Sequence, residues 1–89
     1  MLEKTVSIMN HTGLHARPAS QFAQAASKFK SQITIVKDGK AVNAKSMISV
    51  LSMAINKGCE IVIRAEGDDE NLAIDTLVAL VSKFAEEDE

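Results

Sequence analysis

From Leu2 to Met9 the chain alternates: Leu2, Lys4, Val6 and Ile8 fall on one side, Glu3, Thr5, Ser7 and Met9 on the other. A period of two predicts a strand with one face on a core. The period then changes. Ala19, Phe22, Ala23, Ala26 and Phe29 recur at helical spacing, with Ser20, Gln21, Gln24 and Ser27 opposite. This predicts a first helix from about Ala16 to about Lys28. Its alanines favour helix and allow close packing on a sheet. Gln32 to Lys37 and Lys40 to Asn43 read as two strands joined by Asp38-Gly39. That pair suits a type I′ hairpin turn, which needs positive φ at both positions.

Ser46 opens a short second helix, because its oxygen can accept a bond from a first-turn N–H. No charged residue occurs from Met47 to Asn56, and only Ser49, Ser52 and Asn56 interrupt the apolar run. Such a helix is buried on both faces or carries an exposed apolar patch that docks a partner. In a chain this small the partner reading is preferred, and the methionines suit it. Gly58 is expected to end the helix as its C′ residue. Glu60 to Glu66 read as a fourth strand with Ile61, Ile63 and Ala65 on one face. Gly67-Asp68-Asp69-Glu70 turns into a last helix, where acids favour the N-terminal dipole. Ala73, Ile74, Leu77, Val78, Val81 and Phe84 form its stripe, and Glu86 to Glu89 read as a frayed acidic tail. The order strand, helix, strand, strand, helix, strand, helix fits an antiparallel sheet with helices on one face. No repeat or linker divides residues 1–89, so one domain is expected.

Composition narrows the function classes. Eighty-nine residues allow one modest core, and with three Phe and no Trp or Tyr it must be mostly aliphatic. A net charge of −2 without a basic run gives no attraction to nucleic acid, and no aromatic row offers a stacking platform. Lys37, Lys40 and Lys45 around the hairpin read as a solvated edge that discourages sheet aggregation. The lone Cys59 forms no internal disulfide and reads as a small, partly buried residue. No stretch is long and apolar enough for a membrane span, and no signal-peptide layout opens the chain, so the cytoplasm is the expected location.

The candidate chemistry lies in Thr12-Gly13-Leu14-His15-Ala16-Arg17-Pro18-Ala19, where the first strand gives way to the first helix. Gly13 can supply the turn's unusual backbone angles. Pro18 is tolerated in a first helical turn. A helix N-terminus offers free N–H groups and partial positive charge, and Arg17 adds a guanidinium suited to phosphate oxygens. A histidine there can carry a phosphoryl group on a ring nitrogen, although on spacing alone it is more often a cap or turn residue. His11 and His15 are four apart, but Gly13 between them and the lack of a third ligand argue against a metal site. His11 reads as a loop residue.

Thr12 to Ala19 resembles the active-site signature of HPr, the histidine-containing phosphocarrier of the bacterial sugar phosphotransferase system. Val42-Asn43-Ala44-Lys45-Ser46-Met47-Ile48-Ser49-Val50-Leu51 is similar to the regulatory serine segment of HPr from Gram-positive-type bacteria. The likeness extends over essentially the whole chain. It implies an α+β open-faced β-sandwich of βαββαβα order, a four-stranded antiparallel sheet with three helices. It also implies phosphoryl relay: His15, through Nδ1, accepts phosphate from enzyme I and passes it to sugar-specific IIA domains. Arg17 would be the phosphate partner, and the N–H groups of Ala16 and Arg17 the anchors for its oxygens. Ser46 would be the site of the HPr kinase/phosphorylase, and the Ser46-phosphorylated form a partner of catabolite control protein A.

Met47, Ile48 and Leu51, with Ser20 and Gln24, are the expected partner surface. Ala44 and the Met47-Ile48-Ser49 order depart from the leucine and Ile-Met-Gly frequent in relatives, which bears on details of kinase and repressor binding. A monomer is expected, with no cofactor and no conventional enzymatic activity. One alternative is a purely regulatory HPr paralogue acting through Ser46, a class that resembles this chain but carries glutamine at the position of His15. Another is a carrier of the nitrogen-related branch, which usually lacks the Ser46 segment. A free-standing hydrolase ranks last, because no nucleophile–base–acid set is visible.

Overall fold

The strands predicted by alternation form one antiparallel sheet in the computed structural model, which describes residues 1–87. β1 (Leu2–Ser7), β2 (Gln32–Lys37), β3 (Lys40–Asn43) and β4 (Glu60–Glu66) lie in the order β1-β4-β2-β3. α1 (Ala16–Ser27), α2 (Met47–Ser52) and α3 (Glu70–Glu86) complete the expected βαββαβα open-faced arrangement. The register pairs Ile33 with Ala65 and Ile35 with Ile63. All four side chains are buried, and Phe22 of α1 and Leu77 of α3 join the same core. Each of the Ile, Leu and Phe side chains stabilises the fold by about 1.5–3 kcal/mol. Asp38 (φ 51) and Gly39 (φ 81) make the β2–β3 turn with the predicted left-handed pair.

The second helix is shorter than the apolar run implied. It stops at Ser52, Met53 is its C-cap, and the C′ residue is Ala54 (φ 51); Gly58 has a positive φ as well, 90°, but lies four residues further on. Lys37 Nζ donates to the carbonyls of Met53 and Ala54, at 3.1 Å each. Lys37 thus holds the carbonyls just past the helix end, and Ile55 enters the core at 2% exposure. Gly58 instead donates its N–H to the Ile8 carbonyl at 2.7 Å. The hairpin lysines are therefore not a merely solvated edge: Lys45 Nζ donates to the Phe29 carbonyl at 2.7 Å, and only Lys40 is fully exposed.

The acids before α3 act across the chain as well as on their own helix. Asp69 Oδ2 accepts from the Lys30 N–H at 2.8 Å, and Oδ1 from the Ser31 N–H at 2.9 Å and the Ser31 hydroxyl. It makes no side-chain cap bond to α3. Glu70 serves that end, accepting from the Gly67 N–H at 3.1 Å and pairing with the N-terminal ammonium at 3.2 Å. α3 runs on through Glu86, so the expected frayed tail does not begin there. Glu87 is the C-cap, its N–H donating to the Lys83 carbonyl at 3.0 Å. The rest of that tail, 88 and 89, lies outside the described residues.

The Ser31 hydroxyl, then the Lys30 N–H, hold the Asp69 carboxyl well below the usual range, at about 2. Because the folded value lies below the unfolded one, this contribution to stability is complete above about pH 4 and is lost as pH falls through about 2. The Gly67 N–H and the N-terminal ammonium lower Glu70 in the same direction. Thermal midpoints measured from pH 5 to pH 2 should fall less steeply in Asp69→Asn than in the wild type, with a residual slope from Glu70. Equal slopes would contradict the clamp.

Candidate functional site

The strand-to-helix turn is fixed by backbone before any side chain acts. Gly13 donates its N–H to the Asn10 carbonyl at 3.0 Å, and Leu14 donates to the Ile55 carbonyl at 2.9 Å. Gly13 sits at φ 66, and a Cβ there would lie 2.3 Å from the Ile55 oxygen and 2.8 Å from the Asn56 Cα. Only glycine accommodates both the angle and the approach. Leu14 is buried at 2% exposure and anchors the turn in the core.

His15 follows as the N-cap residue of α1, in extended conformation, and its side chain makes no cap hydrogen bond. The exposed imidazole is thus not occupied with holding the helix. The first intrahelical bond runs from the Ala19 N–H to the His15 carbonyl at 2.8 Å. Ala16 and Arg17 precede it with the unclaimed N–H groups of a helix start. Pro18 has none to offer. His15, Arg17, Thr12, Pro18 and Gln21 line an open cleft of about 560 Å³, together with Phe84 and Glu87 of the α3 terminus. Arg17 is exposed and makes no ion pair among the described residues. An imidazole and a guanidinium lining one cleft, at a helix start with unclaimed N–H groups, can hold a phosphoryl group.

The other predicted residues lie elsewhere. Ser46 is the N-cap of α2, its Oγ accepting from the Ser49 N–H at 3.2 Å. Ile48 is 81% exposed, with Met47 and Leu51 at 37%, while Val50 of the same helix is fully buried. The uncharged helix therefore divides between a core side and an exposed apolar patch. Ser20 and Gln24 do not enter the cleft; they bond to each other along α1 at 3.2 Å. Gln21 lines the cleft instead, beside Glu87. The helical period could have singled out Gln21, one turn beyond Arg17. Glu87 had no sequence signal, because only the packing of α3 brings its end to α1.

A family model described as the PTS HPr component phosphorylation site matches residues 2–83. The chain belongs to the HPr family. Among HPr-family relatives, it is 48% identical over 83 residues to the HPr-like protein Crh of Halalkalibacterium halodurans, covering 93% of this chain and 99% of the relative. It is 46% identical over 88 residues to the phosphocarrier protein HPr of Treponema pallidum, covering 98% of this chain and 100% of that one. The crystal structure of HPr from Thermoanaerobacter tengcongensis superposes over 100% of both chains, with a TM-score of 0.95 and 49% identity. An HPr dimer from the same organism has also been solved, 54% identical over 94% of this chain and 98% of that one, with a TM-score of 0.75. No helix among the described residues is long and apolar enough to cross a membrane.

Gly13→Ala tests the geometry of the turn. The added methyl meets backbone atoms in a left-handed conformation, so urea unfolding should show a loss of at least about 2 kcal/mol. An unchanged midpoint would mean that the turn is free to move.

Proposed function

We propose that the chain is a phosphocarrier that takes a phosphoryl group from phospho-enzyme I on His15 and passes it to sugar-specific IIA domains. What carries the reading is the exposed His15 at the start of α1, in one cleft with Arg17. In the transfer, a ring nitrogen of neutral His15 forms the new bond to phosphorus as the donor's bond breaks, and Nδ1 is the atom the family resemblance assigns. The Arg17 guanidinium and the N–H groups of Ala16 and Arg17 take the three oxygens.

Ser46 is the second proposed site, phosphorylated by HPr kinase/phosphorylase and, in that form, read by catabolite control protein A. Phosphate there adds about −1.5 to −2 charge at the start of α2, where the dipole accepts it, beside the exposed Ile48. Its effect on transfer is then electrostatic, at the docking surface, with the fold intact. A monomer is the proposed working form, with sedimentation as the check.

The relatives named Crh favour a second reading, a purely regulatory chain acting through Ser46. His15 favours the carrier, because the regulatory class carries glutamine at that position. Incubation with enzyme I and phosphoenolpyruvate should add one acid-labile phosphate by intact mass, absent in His15→Ala. No incorporation by an enzyme I that is active on other carriers, with acid-stable phosphate added by the kinase and ATP, would select the regulatory reading. Ser46→Asp should keep the wild-type circular dichroism and accept phosphate from enzyme I more slowly. Loss of fold in that variant would contradict the electrostatic account.

A further inference from the structure

Asn10 lies five residues before His15, is 4% exposed, and lines the same cleft. Its Nδ2 donates to the Gly13 carbonyl at 2.7 Å, while its own carbonyl accepts the Gly13 N–H. The turn is thus closed twice by one residue. The consequence falls on the peptide that joins Gly13 to Leu14. Its carbonyl end is held by the Asn10 amide and its N–H end by the Ile55 carbonyl. With both ends held, the plane of that peptide is fixed, and so is the direction in which the chain delivers His15.

The base on which Asn10 stands is equally fixed. Ile8 donates to the Cys59 carbonyl at 2.8 Å and accepts from the Gly58 N–H at 2.7 Å. The other half of the amide is unused: Asn10 Oδ1 is buried and accepts no hydrogen bond among the described residues. A buried acceptor left unmet costs stability. This amide is therefore a poor stabiliser, and what it supplies is geometry.

We propose that Asn10 is a positioning residue for the phosphoacceptor, setting the orientation of His15 through the Gly13–Leu14 peptide. The proposal rests on His15 being the acceptor, as argued above. Asn10 is buried and makes no part of the exposed patch at Met47, Ile48 and Leu51, so its role is in transfer and not in docking.

The test uses the chain as substrate of enzyme I with phosphoenolpyruvate, comparing wild type, Asn10→Ala and Asn10→Asp. Asn10→Asp keeps the size and removes the donor; Asn10→Ala removes both. Both should lower kcat on the order of tenfold or more with KM unchanged, since small misplacements of a reacting group have effects of that order. A variant that is merely less folded supplies less substrate, which raises the apparent KM and leaves kcat alone. If one variant does not fold, the other carries the comparison. In the unphosphorylated chain, the His15 ring resonances should also move in the folded variants. Wild-type kcat with unmoved ring resonances would overturn the proposal, as would full activity of Asn10→Asp. If the wild type itself accepts no phosphate, the carrier reading fails, and Asn10 is then judged on the His15 ring resonances alone.

Discussion

The hydrogen bond from the Leu14 N–H to the Ile55 carbonyl, with Gly13 pressed against the same oxygen, is the contact on which the site depends. It joins two residues that lie 41 positions apart in the sequence. On one side it sets where α1 starts, and therefore where His15 and the N–H groups of Ala16 and Arg17 stand. On the other it receives the chain leaving α2, the helix that Ser46 caps. Both proposed phosphorylation sites are thus built on one backbone junction. The junction is made of main-chain atoms, buried apolar side chains and the buried Asn10 amide, so charge added at the surface leaves it in place.

Several charged side chains are engaged within the fold. Lys37 and Lys45 hold carbonyls of neighbouring elements, and Asp69 and Glu70 hold N–H groups. Arg64 pairs with Glu3 across β1 and β4. Arg17 has no such bond among the described residues, and it is the cation that stands beside His15. A guanidinium with its donors free meets an incoming anion without first breaking an ion pair. Glu87, which lines the same cleft, puts the end of α3 next to that chemistry.

Much of this was legible in the chain. β2, β3 and β4 have the boundaries that alternation and Asp38-Gly39 imply, because period-two patterning and a left-handed turn are local properties. α1 begins where the shift in period and Pro18 place it. The end of α2 was not legible: Ala54 carries no signature of a left-handed residue, and the lysine that holds the carbonyls just past it comes from β2. The Asp69 clamp was hidden for the same reason, since its donors lie 38 and 39 residues away. Glu87 reaches the cleft only through the way α1 and α3 pack, whereas Gln21 lies one helical turn beyond Arg17 and was open to the helical period. Local rules find elements and caps; partners brought in by the fold need the fold.

Whether the start of α1 holds the phosphoryl group can be read from nitrogen-15 correlation spectra of the chain before and after phosphorylation by enzyme I. Large shifts are expected for the amides of Ala16 and Arg17 and for the His15 ring nitrogens, with little change along β2 and β3. A phosphorylated chain whose Ala16 and Arg17 amides stay in place would contradict that placement.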